Sequence, residues 1–129
     1  MTVSILIVDD EPDVDFLFRQ RFRREMREGA YVLHFALSGR EALQRLEDHI
    51  EPQLIVILSD INMPGMDGLA LLREIKTRRP ELPVMMLTAY GDEERRRLAA
   101  EYGADEFLTK PVDFDFLKER LRQLHAGTA

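Results

Sequence analysis

Five short apolar segments alternate along the chain with five longer segments whose apolar residues recur at helical spacing. Val3–Val8 and residues 54–59 are almost continuously apolar, which is typical of strands buried on both faces of a parallel sheet. Tyr31–Ala36 alternates more between apolar and polar residues, which indicates a less buried strand at an edge. Residues 83–87 and 105–109 complete the set of predicted strands. This alternation predicts an α/β fold in which helices cover both faces of one parallel sheet.

The helical segments carry recognisable start signals. Proline suits the first turn of a helix, so the first helix is predicted to start at Pro12, and its apolar stripe extends to Met26. Ser38 and Glu41 fit a capping box at the start of the second helix. The remaining predicted helices are Gly68–Arg78 and two that follow Asp92 and Asp113.

Length, composition and charge restrict the class of protein. A chain of 129 residues is expected to form one domain, and its 45% hydrophobic and 33% charged residues are typical of soluble globular proteins. No apolar run approaches the roughly 20 residues of a membrane span, and residues 2–8 lack the basic leader of a secretory signal. The absence of cysteine excludes disulfides and thiolate chemistry, so the cytoplasm is the expected compartment. The net charge of −6 disfavours nucleic acid as a direct partner.

Chemically useful side chains come directly after four of the five predicted strands. They are Asp9, Asp10 and Glu11 after the first strand, Asp60 after the third, Thr88 after the fourth and Lys110 after the fifth. A single acid in such a position is more often a helix cap than a reactive group. If the first and third strands are neighbours, however, Asp10 and Asp60 face one crevice at the carboxyl edge of the sheet, flanked by Thr88 and Lys110.

Such a cluster has a definite chemistry. Three carboxylates in one crevice raise each other's pKa unless a cation holds them, and oxygen ligands without histidine or cysteine favour Mg²⁺. Lys110 can neutralise a phosphate as a point charge, and Thr88 offers a hydroxyl to a phosphoryl oxygen. The set suits phosphoryl transfer, in which a carboxylate can itself be the acceptor and form an aspartyl phosphate.

Four motifs together point to a family. They are ILIVDDEP, LIVILSDINMPGMDG, VMMLTAYGD and GADEFLTKP, in this order. With them the chain resembles bacterial response-regulator receiver domains, such as the chemotaxis regulators of two-component signalling, over essentially its whole length. The resemblance implies a flavodoxin-like (βα)5 fold with strand order 2-1-3-4-5. It also implies one receiver domain over residues 1–129, with no output domain in this chain.

The resemblance assigns the metal and phosphoryl chemistry to particular residues. Asp60 resembles the phosphoacceptor of the family. Mg²⁺ (or Mn²⁺) is expected to bind the side chains of Asp10 and Asp60 and the backbone carbonyl of Asn62. Asp9 is expected to act through water or by orienting the other ligands.

Further residues match the family's phosphoryl-binding and switch positions. Lys110 is expected to pair with the phosphoryl group, and Thr88 to donate a hydrogen bond to it after a short inward movement. Phe107 stands at the position of an aromatic rotamer switch, although a phenylalanine buried in the strand for packing alone is an equal alternative. The Lys110–Pro111 peptide matches a position that is cis in the family.

Three more features concern lifetime and partners. Asn62 and Tyr90 stand where the family tunes the lifetime of the phosphoryl group. Phe16 lies off the apolar stripe of the first helix, where a phosphodonor helix docks in the family; a scattered surface aromatic is the alternative. The residues Arg95, Arg96 and Arg97 of the fourth predicted helix are expected to be largely exposed.

The function implied is a signalling switch that accepts a phosphoryl group from a sensor histidine kinase or a histidine phosphotransfer protein and slowly hydrolyses it. Such a protein is not a turnover enzyme on external substrates. Its response is expected to reach a downstream protein or a fused output domain through the fourth helix, fifth strand and fifth helix, without direct contact with nucleic acid or membrane. The alternative is a receiver-fold interaction module not controlled by phosphorylation.

Two other classes with similar topology fit the sequence less well. A flavin-binding electron carrier needs a phosphate-binding loop rich in glycine and hydroxyl groups after the first strand, where this chain has acids. An aspartate-dependent phosphatase usually has Asp-x-Asp at that point, which Asp9, Asp10 and Glu11 do not supply.

Overall fold

The computed structural model of the chain describes residues 2–48, 50, 53–54, 56–89 and 91–128. The strands in these residues are β1 (Val3–Val8), β2 (Tyr31–Ala36), β3 (Val56–Asp60), β4 (Val84–Thr88) and β5 (Glu106–Thr109). The helices are α1 (Pro12–Arg21), α2 (Arg23–Arg27), α3 (Gly39–Glu47), α4 (Gly68–Arg78), α5 (Glu93–Glu101) and α6 (Phe114–Thr128). None of these described helices is both long and apolar enough to span a membrane.

All five strands pair in parallel, in the order β2-β1-β3-β4-β5. The predicted α/β fold with this strand order is therefore confirmed. The register sets Val8 of β1 beside Ser59 of β3, and Thr88 of β4 beside Thr109 of β5. Because the strands run in one direction, the residues that follow them emerge together at the carboxyl edge, with β1 and β3 adjacent.

Helices cover both faces of the sheet, and each face has its own hydrophobic core. On one face, α3, α4 and α5 contribute buried residues such as Leu43, Leu72 and Ala99. On the other face, Phe18 of α1 and Leu117 of α6 belong to a second cluster. Every residue of β1 is buried, because helices lie on both sides of this strand. That double burial explains why its sequence is nearly all apolar instead of alternating.

The first helix differs from its prediction. In place of one continuous helix to Met26, the chain forms α1 and α2 on either side of Phe22, whose φ and ψ are −103° and 14°. The Phe22 amide still donates to the Phe18 carbonyl at 2.9 Å, so the interruption is local. Phe22 is fully buried, and its ring packs edge-on against that of Tyr31 at a centroid distance of 5.2 Å. Tertiary packing of this ring thus outweighs regular helix geometry at one residue.

One strand start also differs. β4 begins at Val84 and not at Pro83, because proline has no amide hydrogen to donate to the ladder. The Pro83 carbonyl still accepts a hydrogen bond from the Ile57 amide at 3.0 Å.

Candidate functional site

Asp60 is the last residue of β3, and its side chain is held from two directions. The carboxylate is buried, with 4% of the residue exposed. Its Oδ1 accepts a hydrogen bond from the backbone amide of Asn62 at 3.1 Å. Its Oδ2 lies 2.7 Å from the Nζ of Lys110. Strand pairing fixes the backbone of Asp60, and these two contacts fix the direction of its carboxylate.

Asp9 lies beside Asp60 because β1 is the neighbour of β3. It is buried, its Oδ1 accepts from the Glu11 amide at 3.0 Å, and its Oδ2 lies 3.3 Å from the Nζ of Lys110. Burial raises the pKa of the Asp9 carboxyl, and the charge of Asp60 adds to the rise; the Glu11 amide and Lys110 act in the opposite direction. The site therefore holds a carboxylate that is costly to keep charged.

Lys110 reaches both acids from the end of β5. Its backbone amide donates to the Thr88 carbonyl at 2.9 Å, and its peptide bond to Pro111 is cis. Burial on its own would lower the pKa of Lys110, but the hydrogen bond and charge of Asp60, together with Asp9, outweigh burial and raise this pKa. The lysine is therefore firmly cationic where the two acids converge.

Three carboxylates are close enough to share a cation. Asp9, Asp10 and Asp60 each place an oxygen within 4.8 Å of the other two, and Asp10 is the most exposed of the three. The cluster offers only hard oxygen ligands, a donor set that fits Mg²⁺ or Mn²⁺. Acids from the first and third strands thus meet at one point, as the sequence predicts.

The loop between β3 and α4 approaches this point very closely. The Gly68 amide donates to the Ile61 carbonyl at 2.9 Å. A Cβ atom on Gly68 would lie 2.3 Å from the Asp60 carbonyl oxygen and 2.5 Å from the Ile61 Cα. Only glycine fits there. The helix that follows, α4, is capped by Asp67, whose Oδ1 accepts a hydrogen bond from the Ala70 amide at 2.9 Å.

Arg95 contradicts its prediction as an exposed helix residue. Its side chain is 32% exposed, and its Nη2 donates to the Ile61 carbonyl at 3.2 Å and to Asp67 Oδ2 at 3.1 Å. The prediction was correct for Arg97, which is 58% exposed and, among the described residues, pairs with Glu94 and Glu101 of its own helix. Helical periodicity could not reveal the inward direction of the Arg95 side chain, because its partners Ile61 and Asp67 lie in the loop between β3 and α4.

Thr88 and Phe107 lie on the β4 and β5 side of the site. Thr88 is buried, and its Oγ1 donates to the Leu108 carbonyl at 3.5 Å, the long limit of a hydrogen bond. Phe107 is half-buried against the core that α4 and α5 cover. The guanidinium carbon of Arg96 lies 4.9 Å from the centre of its ring, a cation–π contact.

The comparison with known families is direct. A model of the response regulator receiver domain matches residues 5–122. The chain belongs to this family. Among curated relatives, the transcriptional regulatory protein ZraR of Escherichia coli (strain K12) is 36% identical over 126 residues, which are 98% of this chain and 27% of ZraR. The response regulator MprA of Mycolicibacterium vanbaalenii is 35% identical over 124 residues, which are 96% of this chain and 51% of MprA. The receiver chain thus spans between a quarter and about half of these relatives.

Solved structures agree with the family. A signal receiver domain of an HD domain-containing protein from Pseudomonas fluorescens Pf-5 has a TM-score of 0.86 at 28% identity, covering 98% of this chain and 97% of that chain. A response regulator receiver domain protein from Clostridium thermocellum has a TM-score of 0.83 at 29% identity, covering 95% of this chain and 93% of that chain.

Two of the remaining predicted residues, Asn62 and Phe16, lie in the part of the chain that the structure describes. The Asn62 side-chain amide donates to Asp92 Oδ2 at 3.3 Å. Phe16 of α1 is 70% exposed, and Leu17 and Phe116 are exposed as well. Tyr90 lies outside the described residues.

Proposed function

We propose that this receiver domain is a phosphorylation-controlled signalling switch whose phosphoacceptor is Asp60. The main support is the position of its buried carboxylate, 2.7 Å from Lys110 Nζ and within 4.8 Å of carboxylate oxygens of Asp9 and Asp10. Nucleophile, positive charge and candidate metal ligands surround one point, which is the arrangement that phosphoryl transfer requires.

The reaction would run on the chain itself. An oxygen of Asp60 attacks the phosphorus of a phosphohistidine, an O–P bond forms, and the P–N bond breaks with its electron pair passing to the imidazole, which takes up a proton. Water later attacks the phosphorus of the aspartyl phosphate, releases inorganic phosphate and regenerates the carboxylate. Because the phosphoryl group is accepted by a side chain of the protein itself, no external acceptor is turned over.

Each residue of the acidic site has a defined part in this proposal. Asp9, Asp10 and Asp60, with the backbone carbonyl of Asn62, would hold Mg²⁺ or Mn²⁺. When bound, that ion would neutralise charge on the phosphoryl group. Lys110 stays cationic and is already aimed at Asp60, so it can pair with a phosphoryl oxygen without a large movement.

The response side starts from a weak contact. The 3.5 Å hydrogen bond from Thr88 Oγ1 to Leu108 can be exchanged for one to a phosphoryl oxygen at small cost. Movement of Thr88 would change the packing of Phe107 in the adjacent strand, beneath Arg96 of α5. The face formed by α5, β5 and α6 would then carry the signal to a downstream protein or a fused output domain.

The donor side of the proposal concerns exposed apolar side chains of α1 and α6. Phe16 and Leu17 of α1 and Phe116 of α6 present apolar surface to solvent. We infer that a helix of a sensor histidine kinase or histidine phosphotransfer protein docks there, in the cytoplasm. Contiguous apolar surface that is exposed to solvent marks such interaction sites.

Labelling with radioactive acetyl phosphate tests the proposal. The wild-type chain should incorporate phosphate in the presence of Mg²⁺ and should remain unlabelled when Mg²⁺ is chelated before the phosphodonor is added. The Asp60→Asn variant should remain unlabelled in both conditions. An unlabelled wild type, or an Asp60→Asn variant labelled to the same extent, would reject the switch in favour of an interaction module that does not depend on phosphorylation.

A further inference from the structure

Arg95, at the start of α5, is linked to the Asp60 carboxylate through a single peptide group. We propose that Arg95 is a positioning residue, which orients this carboxylate by holding the peptide between Ile61 and Asn62. The inference rests on the proposed function only for the importance of Asp60; the contacts themselves are present without a phosphoryl group or a metal ion.

Arg95 holds the carbonyl end of that peptide. Its Nη2 carries two hydrogens, and the structure gives it two acceptors, the Ile61 carbonyl at 3.2 Å and Asp67 Oδ2 at 3.1 Å. The ion pair with Asp67 fixes the guanidinium, because Asp67 is itself anchored as the cap of α4. The same Ile61 carbonyl accepts a second hydrogen bond from the Gly68 amide.

The other end of the peptide holds Asp60. The amide of Asn62, which belongs to the same planar group as the Ile61 carbonyl, donates to Asp60 Oδ1 at 3.1 Å. A peptide plane cannot twist, so fixing its carbonyl also fixes the direction of its N–H. Lys110 contacts the other carboxylate oxygen. Arg95 and Lys110 therefore control opposite sides of one carboxylate.

This link also connects the acidic site to α5. The Nε of Arg95 is buried and has no hydrogen-bond partner among the described residues. It lies 3.9 Å from Asp92 Oδ2, which accepts from the Asn62 side chain. An unpaired buried N–H is costly, so the environment of this Nε depends on the position of Asp92. Because Asp92 and Arg95 both belong to the start of α5, a movement there would also act on the peptide that orients Asp60.

Amide hydrogen exchange at Asn62, measured by NMR on the wild-type and variant chains without metal or phosphodonor, tests the link. Arg95→Ala should speed exchange of this amide by about fivefold, which corresponds to a loss of about 1 kcal/mol. Arg97→Ala is the matched control. Among the described residues Arg97 pairs with Glu94 and Glu101 of its own helix, so its removal should leave the exchange rate of the Asn62 amide unchanged.

A Mg²⁺ titration followed by the same amide resonances adds a readout that general loosening of the fold does not move. The Mg²⁺ concentration at half-saturation should rise about threefold in Arg95→Ala and stay constant in Arg97→Ala. Wild-type values for Arg95→Ala in both experiments would overturn the inference.

If Arg95→Ala does not fold, Asp67→Asn replaces it, because asparagine can still cap α4 but cannot pair with the arginine. It should show the same changes to a smaller degree, and unchanged exchange at Asn62 would again overturn the inference. The outcome is independent of the labelling experiment: a chain that acetyl phosphate does not label would reject the switch and leave this exchange result standing.

Discussion

On the acid side of the site, formed by Asp9, Asp60 and Lys110, the lysine nitrogen lies 3.3 Å from the Asp9 carboxylate and 2.7 Å from that of Asp60. On the response side, formed by Thr88 and Phe107, the threonine hydroxyl reaches its acceptor only at 3.5 Å, and the aromatic ring is half-buried under an arginine. The two sides lie at the ends of adjoining strands of one sheet and yet are held very differently.

The difference fits what each side has to do. Charged groups aimed in advance at the place where charge will develop cost no reorganisation during the reaction. A residue that must change partners works best when its starting contact is weak, because the ligand then has little to replace. The acid side is therefore built for chemistry and the response side for movement. Substitutions can be chosen that alter one side of the site at a time.

The largest expected loss comes from crowding the acid side. Gly68→Ala would force a Cβ atom to 2.3 Å from the Asp60 carbonyl, so the loop must shift. The free energy of unfolding should fall by about 3 kcal/mol, measured by urea denaturation. In Gly39→Ala the new Cβ meets only the flexible side chain of Met66. That control should lose far less, and equal losses would contradict the close-approach argument.

Removing the cation of the acid side should impair the chemistry. Lys110→Ala should label with acetyl phosphate about 100-fold more slowly than the wild type at saturating Mg²⁺, because a charge-assisted contact to the phosphoryl group is lost. Lys118→Ala removes a lysine that pairs with Glu25 in a different part of the molecule, and its labelling rate should not change. A Lys110→Ala rate near that of the wild type would remove Lys110 from the mechanism.

The acids should trade stability for metal binding. Burial, with the charge of Asp60, raises the pKa of Asp9 from its ordinary value of 3.8, so folding costs free energy while Asp9 is charged. In Mg²⁺-free buffer at pH 7, Asp9→Asn should therefore unfold at higher urea than the wild type. This gain should shrink as the pH falls through the folded-state pKa toward 3.8, because the wild-type carboxyl then becomes protonated in the folded protein.

Saturating Mg²⁺ should reverse the order of the two proteins, since only the wild type keeps all three carboxylates. A destabilised Asp9→Asn variant at pH 7 without Mg²⁺ would contradict this view of the acid side.

The response side should tolerate substitution with the smallest loss of stability. Thr88→Val keeps the branched shape and removes a hydrogen bond of only 3.5 Å, so the free energy of unfolding should change by less than about 0.5 kcal/mol. The variant should still be labelled on Asp60. The shift of the Phe107 ring resonances on phosphorylation, followed by NMR, should nevertheless be reduced. A full wild-type shift would show that Thr88 does not carry the response.

The sequence predicts which residues emerge at the carboxyl edge of the sheet better than it predicts contacts between distant segments, and the reason is physical. Local rules act on each strand separately: a nearly continuous apolar run indicates burial on both faces, and the residue that follows it must emerge at the carboxyl edge. These rules predicted that Asp9, Asp60 and Lys110 converge at one point. The bounds of α4, which Asp67 caps, were also predicted correctly, because local sequence signals mark the ends of this helix.

Contacts between distant segments were not predictable in this way. Arg95 was expected to be largely exposed together with Arg96 and Arg97, and only the folded chain brings the loop containing Ile61 to it. The interruption at Phe22 likewise depends on Tyr31, which lies in a different element. Both differences arise where tertiary packing decides between local structures that the sequence alone allows equally.

Locating the phosphoryl group on the chain tests the central claim most directly. The wild-type protein can be treated with acetyl phosphate and Mg²⁺, reduced with borohydride so that an aspartyl phosphate becomes homoserine, and digested for mass spectrometry. Homoserine is expected at position 60 alone, and only in samples that contained Mg²⁺. Homoserine at position 9 or 10, or no reduced residue in a fully folded sample, would contradict it.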